Sequence, residues 1–209
     1  MAVLVDQPPP CILHEDEHLL VADKPPGLNT HSPSPHAGEG IYDWLRNREP
    51  RWAHLAIIHR LDKATSGVMV FAKSKLANQS LTQQFTERRV RKEYLLLTST
   101  PPPENSFTVR SAITRAGERY VPSIHGESAE TKFKFIRREG DYYLLAAEPL
   151  TGRTHQIRVH AEERQISLLG DTPYGGTPFP RVCLHAHKIT FTHPATGQPV
   201  TYLAEPDFF

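Results

Sequence analysis

Five consecutive apolar residues that favour extended chain, Val68-Met69-Val70-Phe71-Ala72, stand between Gly67 and Lys73. A run this short, with no polar residue alternating through it, predicts a strand buried on both faces, around which the chain must build a core. Ser74 then suits a helix N-cap, because its hydroxyl can accept an orphan amide. Ala77, Leu81 and Phe85 recur at i, i+4 and i+8, the stripe of an amphipathic helix. That helix is expected to end in the basic run Arg88-Arg89-Val90-Arg91-Lys92, where positive charge meets the negative end of its dipole.

The remaining segments read mostly as strands. Cys11 to Ala22 predicts a hairpin around the polar turn Glu15-Asp16-Glu17, and Glu93 to Leu97 a further strand. Phe133 and Phe135 alternate with Lys132 and Lys134, Gly140-Asp141 turns that strand into Tyr142 to Ala147, and Leu184 to Thr192 forms a last hairpin with Val200 to Leu203. Ser106 to Gly126 reads as irregular or weakly stranded. Ile41 to Arg48 is a short helix burying Trp44 and Leu45, and Thr154 to Arg164 is another helix. The 19 prolines among 209 residues weigh against a helical bundle. The stretch from Asn29 to Gly40, rich in Ser, Pro, His and Gly, reads as a loop. The fold class expected is α+β with a mixed, largely antiparallel sheet.

Bulk properties exclude more than they assign. A net charge of +1 announces no polyanion partner, so any such site must be local. Two cysteines make neither a disulfide framework nor a zinc site. No apolar run approaches the ~18 residues that span a bilayer, no signal peptide is visible, and the cytoplasm is the expected compartment.

Two constellations can carry chemistry. His59-Arg60-Leu61-Asp62, followed by Thr65-Ser66-Gly67, sets a carboxylate at the mouth of the buried strand, where it can act as nucleophile or base. The bland alternative is that Asp62 only caps its turn. Thr151-Gly152-Arg153-Thr154-His155-Gln156-Ile157-Arg158 places an arginine at a strand-to-helix turn, from which it can hold a carboxylate bidentately, or simply meet solvent. Tyr94, after Lys92-Glu93, can stack on a nucleobase or pack in the core.

Taken together and in order, these motifs, with Gly170-Asp171, Tyr174-Gly175 and Leu184-His185-Ala186, resemble the RluA-type family of RNA pseudouridine synthases. Lys24-Pro25-Pro26-Gly27-Leu28 and His193-Pro194 fit as well, so the likeness runs from about Ile12 to Phe208. The resemblance implies a pseudouridine synthase-like fold, two lobes around a central RNA-binding cleft, in one catalytic domain over residues 1-209 without a separate N-terminal RNA-binding domain. It implies that Asp62 is catalytic, that Arg153 pairs with it, and that Tyr94 stacks on the target base. Arg60 would enter the RNA stack. His59, Arg88, Arg89, Arg91, Lys92, His155, Gln156 and Arg158 are the further expected RNA contacts.

The implied reaction breaks the glycosidic bond of a uridine, turns the base and rejoins carbon five to the sugar. Nothing is oxidised or transferred, so neither cofactor nor metal is expected. The expected partner is ribosomal or transfer RNA in a single-stranded or loop region, since the base must leave its stack, and the chain is expected to act as a monomer. Two departures from the family pattern stand out: Thr98-Ser99-Thr100 follows the Tyr94 strand where a glycine is usual, and Gln165 and Ser167 replace a usual Gly and Pro, which leaves the end of the second motif's helix open. Rival readings are a silent RNA-binding protein on the same fold and a metal-dependent hydrolase using His185 and His187, which share a strand face.

Overall fold

The computed structural model describes residues 10–32 and 40–208; residues 33–39 of the expected Asn29–Gly40 loop lie outside them. The chain divides into two compact units, Met1–Val90 with Ala186–Asp207, and Arg91–His185 with Phe208–Phe209.

In the first unit, β1 (Cys11–Glu15) and β2 (Leu19–Lys24) form the expected hairpin. Its turn is held by Asp16, whose carboxylate accepts the amides of His18 and Leu19 at 2.6 and 2.8 Å. β2 pairs antiparallel with β4 (Ser66–Ala72), and the two-residue β3 (Ala56–Ile57) also lies on β4. Every residue of β4 is buried, as its uninterrupted apolar run predicts. β10 (Leu184–Thr192) follows β4 in the sheet and carries the closing strand β11 (Pro199–Leu203). α2 (Lys75–Thr86) is capped by Ser74, whose hydroxyl accepts the Ala77 amide at 3.1 Å, and it buries Ala77 and Leu81. These join Leu19, Val21, Val68, Val70, Ile189 and Phe191 in one apolar cluster.

Two expectations fail here. α1 (Ile41–Arg48) buries Leu45, but Trp44 is only half-buried and carries the Arg48 guanidinium 4.9 Å from its ring centroid. α2 stops at Thr86, with no basic residue in its last turn. The amides of Arg88 and Arg89 return to the carbonyls of Phe85 and Gln84, and Arg88 takes φ +56°, so the basic run begins in a left-handed helix-closing turn.

The second unit is an antiparallel sheet ordered β5 (Arg91–Thr98), β9 (Tyr142–Pro149), β8 (Glu127–Glu139), β6 (Ser106–Ala116) and β7 (Arg119–Pro122), with α3 (Gln156–Glu163) packed on it. The segment read as irregular or weakly stranded is thus two strands. Phe107, Val109 and Ile113 point inward, but Ser111 takes the inward position between them and its buried hydroxyl has no partner. A serine on the core face broke the alternation that marks such a strand. α3 ends as α2 does: Gln165 sits at φ +59°, and the amides of Gln165 and Ile166 close on the carbonyls of Glu162 and Ala161. Gln165 thus takes the glycine role in the turn without glycine's freedom. Among the described residues no helix is long and apolar enough to cross a membrane.

Candidate active site

In the first unit, Asp62 stands half-buried in the irregular link that leads into β4. The amide of Thr65 returns to the Asp62 carbonyl at 3.1 Å and closes the turn through the main chain. Gly67 follows at φ +112°, and a Cβ there would lie 2.3 Å from the Ala186 carbonyl oxygen. Only glycine lets β10 pass this close over the start of β4.

Residue Lys63, next to Asp62, is gripped from beneath. Its carbonyl accepts the Gly27 amide at 2.7 Å and the Lys24 ammonium at 3.4 Å. Lys24 is fully buried and donates also to Pro25 and Leu28 carbonyls at 2.9 and 2.7 Å. An ammonium carries three donors, and carbonyls stand where water cannot. Sequence reading noticed Lys24-Pro25-Pro26-Gly27 only as part of a resemblance; a lysine at the end of an otherwise buried strand was the available signal.

The other expected residues of this unit divide. His59 braces the core: its Nε2 accepts the Val70 amide at 3.1 Å and its ring stacks on Phe85 at 5.0 Å. Arg60 is exposed. Arg88 and Arg89 are exposed too, with Arg89 paired to Glu87 at 2.6 Å.

In the second unit, β5 presents Lys92 and Tyr94 two residues apart, hence on one face, while Arg91 is exposed. Tyr94 is half-buried opposite Ala147 and packs on the cluster of Leu96, Phe133 and Leu145. Burial pushes the Lys92 ammonium below the ordinary lysine range. A Cβ built on Gly152 would come 3.9 Å from its Nζ, so the Gly152-Arg153 turn lies beside Lys92. Arg153 is half-buried; its guanidinium pairs with Glu127 and donates to the Ser128 carbonyl at 3.2 Å.

Gln156 and Arg158, expected to touch RNA, are corrected to internal roles. Gln156 is 4% exposed. Its Oε1 accepts the Thr151 hydroxyl at 2.6 Å and the Arg153 amide at 3.0 Å, and its Nε2 donates to the Glu130 carbonyl and Thr131 hydroxyl, both at 2.9 Å. The network continues to His160, whose Nδ1 lies 2.8 Å from the Thr131 hydroxyl. His160 is fully buried, its Nε2 has no partner, and burial pushes its pKa down to about 4. Arg158 makes two 2.7 Å bonds to the fully buried Asp171, under the Tyr174 ring. His155 caps α3 at φ +56°, its Nδ1 2.8 Å from the Tyr174 hydroxyl. Sequence spacing cannot separate these buried polar groups from exposed ones, because both lie within one helical turn. His187, from the hydrolase reading, commits its Nδ1 to the Ala204 carbonyl at 2.8 Å, and no metal-holding group of three or more such ligands occurs among the described residues.

Comparison with known proteins converges on one description. Residues 18–163 match the family described as RNA pseudouridylate synthase. Ribosomal large subunit pseudouridine synthase C of Salmonella typhimurium is 37% identical over 212 residues, and so is that of Escherichia coli K12. Each alignment covers 94% of this chain, which spans 66% of the relative's length. Among solved structures, human RNA pseudouridylate synthase domain containing 1 superposes with a TM-score of 0.80 at 27% identity, covering 96% of this chain and 84% of that one. Human RNA pseudouridylate synthase domain containing 4 gives 0.77 at 26%, covering 95% and 90%.

Proposed function

This chain belongs to the RNA pseudouridylate synthase family, and on that premise we propose that it isomerises uridine to pseudouridine in RNA, with Asp62 as the carboxylate that meets the ribose. The observation that carries the reading is the setting of Asp62: half-buried, in a turn closed by its own main chain, at the entrance of a fully buried strand inside the matched region. A carboxylate so fixed can attack the anomeric carbon or take the proton of the neighbouring sugar carbon without first ordering itself. The reaction is a net isomerisation: the glycosidic bond to N1 breaks, the bond from carbon five to the sugar forms, and the proton lost from carbon five is balanced by one gained at N1, so proton transfer by the protein's own groups suffices.

Tyr94 keeps its proposed role as the ring that receives the extruded base, and Arg153 as the guanidinium that keeps the carboxylate ionised. For Arg153 this means exchanging Glu127, an exposed partner, for another acid. Arg60, Arg88, Arg89 and Arg91 are exposed cations suited to phosphates. The names of the bacterial relatives favour large-subunit ribosomal RNA over transfer RNA as substrate. We place the activity in the cytoplasm, in a monomer whose residues 1–209 act as one catalytic domain.

The test is pseudouridine mapping after wild-type protein or Asp62→Asn acts on large-subunit ribosomal RNA, with transfer RNA in parallel. Wild type introduces pseudouridine at defined positions, and Asp62→Asn loses at least ~10²-fold in rate while still binding RNA. Turnover by Asp62→Asn close to wild type overturns the assignment. RNA binding by both proteins with no isomer formed supports the silent binder instead.

A further inference from the structure

Lys24 and Gly27 hold the residue after Asp62; a different side chain holds the residue before it. Thr30 is 3% exposed, in the link between β2 and α1. Its hydroxyl donates to the Leu61 carbonyl at 2.9 Å and accepts the Leu61 amide at 3.0 Å. Leu61 belongs to no strand, so one hydroxyl performs for it what a neighbouring strand performs in a sheet. Thr30 is itself fixed by main chain. Its carbonyl accepts the Tyr42 amide at 3.1 Å, and the Asn29 carbonyl accepts that of Ile41 at 2.9 Å. These are first-turn amides of α1, whose N-cap, Gly40, has no side chain to satisfy them. α1 therefore holds Thr30, Thr30 holds Leu61, and Leu61 sets the peptide from which Asp62 projects.

We propose that Thr30 is a positioning residue for the reaction, fixing the direction of the Asp62 carboxylate through the Leu61 peptide; this rests on Asp62 being the catalytic acid. Thr30 touches no substrate. Valine has nearly the same shape but leaves the buried amide and carbonyl of Leu61 without partners. That peptide then turns to find others and carries Asp62 with it.

A matched control exists within the same unit. Gln84, also 3% exposed, clamps Thr192 in the same two-bond manner, at 2.8 Å to both its carbonyl and its amide, and Thr192 carries no part of the proposed chemistry. The full chain is assayed by tritium release from ribosomal RNA bearing [5-³H]uridine, beside thermal unfolding of each variant. Thr30→Val loses about 10- to 100-fold in kcat with KM within about twofold, as misplacement of a reacting group by an ångström predicts. Thr30→Ser, which keeps the hydroxyl, recovers most of the rate. Gln84→Met lowers the unfolding temperature as Thr30→Val does, yet keeps its kcat. Should Thr30→Val not fold, Thr30→Cys, whose weak thiol cannot hold both groups, gives the same comparison in a milder background. A folded Thr30→Val or Thr30→Cys with wild-type kcat overturns the inference, as does a kcat for Gln84→Met that falls alongside. Wild-type protein that releases no tritium overturns the function itself, and the inference with it.

Discussion

The Asp62 turn and the Arg153 turn are both irregular links beside a strand, and they are held in opposite ways. Around Asp62 the fixing partners are main-chain carbonyls, gripped by Lys24 and Thr30, and a glycine that lets a neighbouring strand close in. Around Arg153 the fixing partners are side chains: Gln156, Thr131, Thr151 and the buried imidazole of His160. The first arrangement joins backbone groups to an ammonium and a hydroxyl. The second is a connected polar network with one member that titrates near neutrality when it is free of the fold. The Asp62 turn is thus set by backbone groups, while Arg153, paired with Glu127, sits on a side-chain network.

Four measurements break or sharpen this contrast. The largest effect falls on the second unit: Arg158→Leu strands the Asp171 carboxylate in the interior and costs about 3–5 kcal/mol in urea unfolding, while Arg158→Leu with Asp171→Leu regains much of it. A double variant no better than the single one shows that the pair is not the unit of stability. In the first unit, Gly67→Ala drives a Cβ into the Ala186 carbonyl from a backbone angle that L-residues rarely adopt, for a loss of about 2–5 kcal/mol. A near-neutral result would mean that β10 gives way there.

Third is pH. Folding lowers the His160 pKa from 6.5 to about 4 because burial opposes its charged form. The unfolded chain therefore binds more protons between those values. His160 contributes its stability in full above pH 6.5 and loses it as pH falls toward 4, at most about 3 kcal/mol. His160→Gln should flatten unfolding midpoints across that window; an unchanged slope would assign it to other groups. The Asp16 carboxylate lies well below its usual range: burial raises it, but hydrogen bonds from His14, the His18 amide and His193 outweigh that. Its loss adds only at more acid pH. Smallest is Gln165→Gly, which relieves the left-handed position closing α3 and stabilises the protein by about 1 kcal/mol, read as a raised urea midpoint. A destabilised Gln165→Gly would mean that the glutamine side chain holds that turn.

Particular residues show what the sequence made legible. The strand at Val68–Ala72, the Ser74 cap and the hairpin at Gly140-Asp141 are local, and local chemistry writes them plainly. The length of β6 was hidden by one inward serine, and the stop of α2 at Thr86 by an arginine willing to take a left-handed angle. The position of Asp62 was readable as the mouth of a strand. The inward turn of Gln156 and Arg158 was not, because it depends on Thr131 and Asp171, 25 and 13 residues away. Trp44 was misjudged because a large apolar ring can serve as a seat for Arg48 as readily as it fills a core.

The contact of Gly67 with Ala186 joins positions far apart in the chain. During synthesis, everything between these two positions must leave the ribosome before the entrance to β4 receives its cover. Until then the turn that bears Asp62 has its upstream partners, Lys24, Gly27 and Thr30, but no strand over its far side. A nascent chain stalled short of β10 therefore already holds Lys24, Thr30 and the turn they grip, but lacks the strand that closes over Gly67.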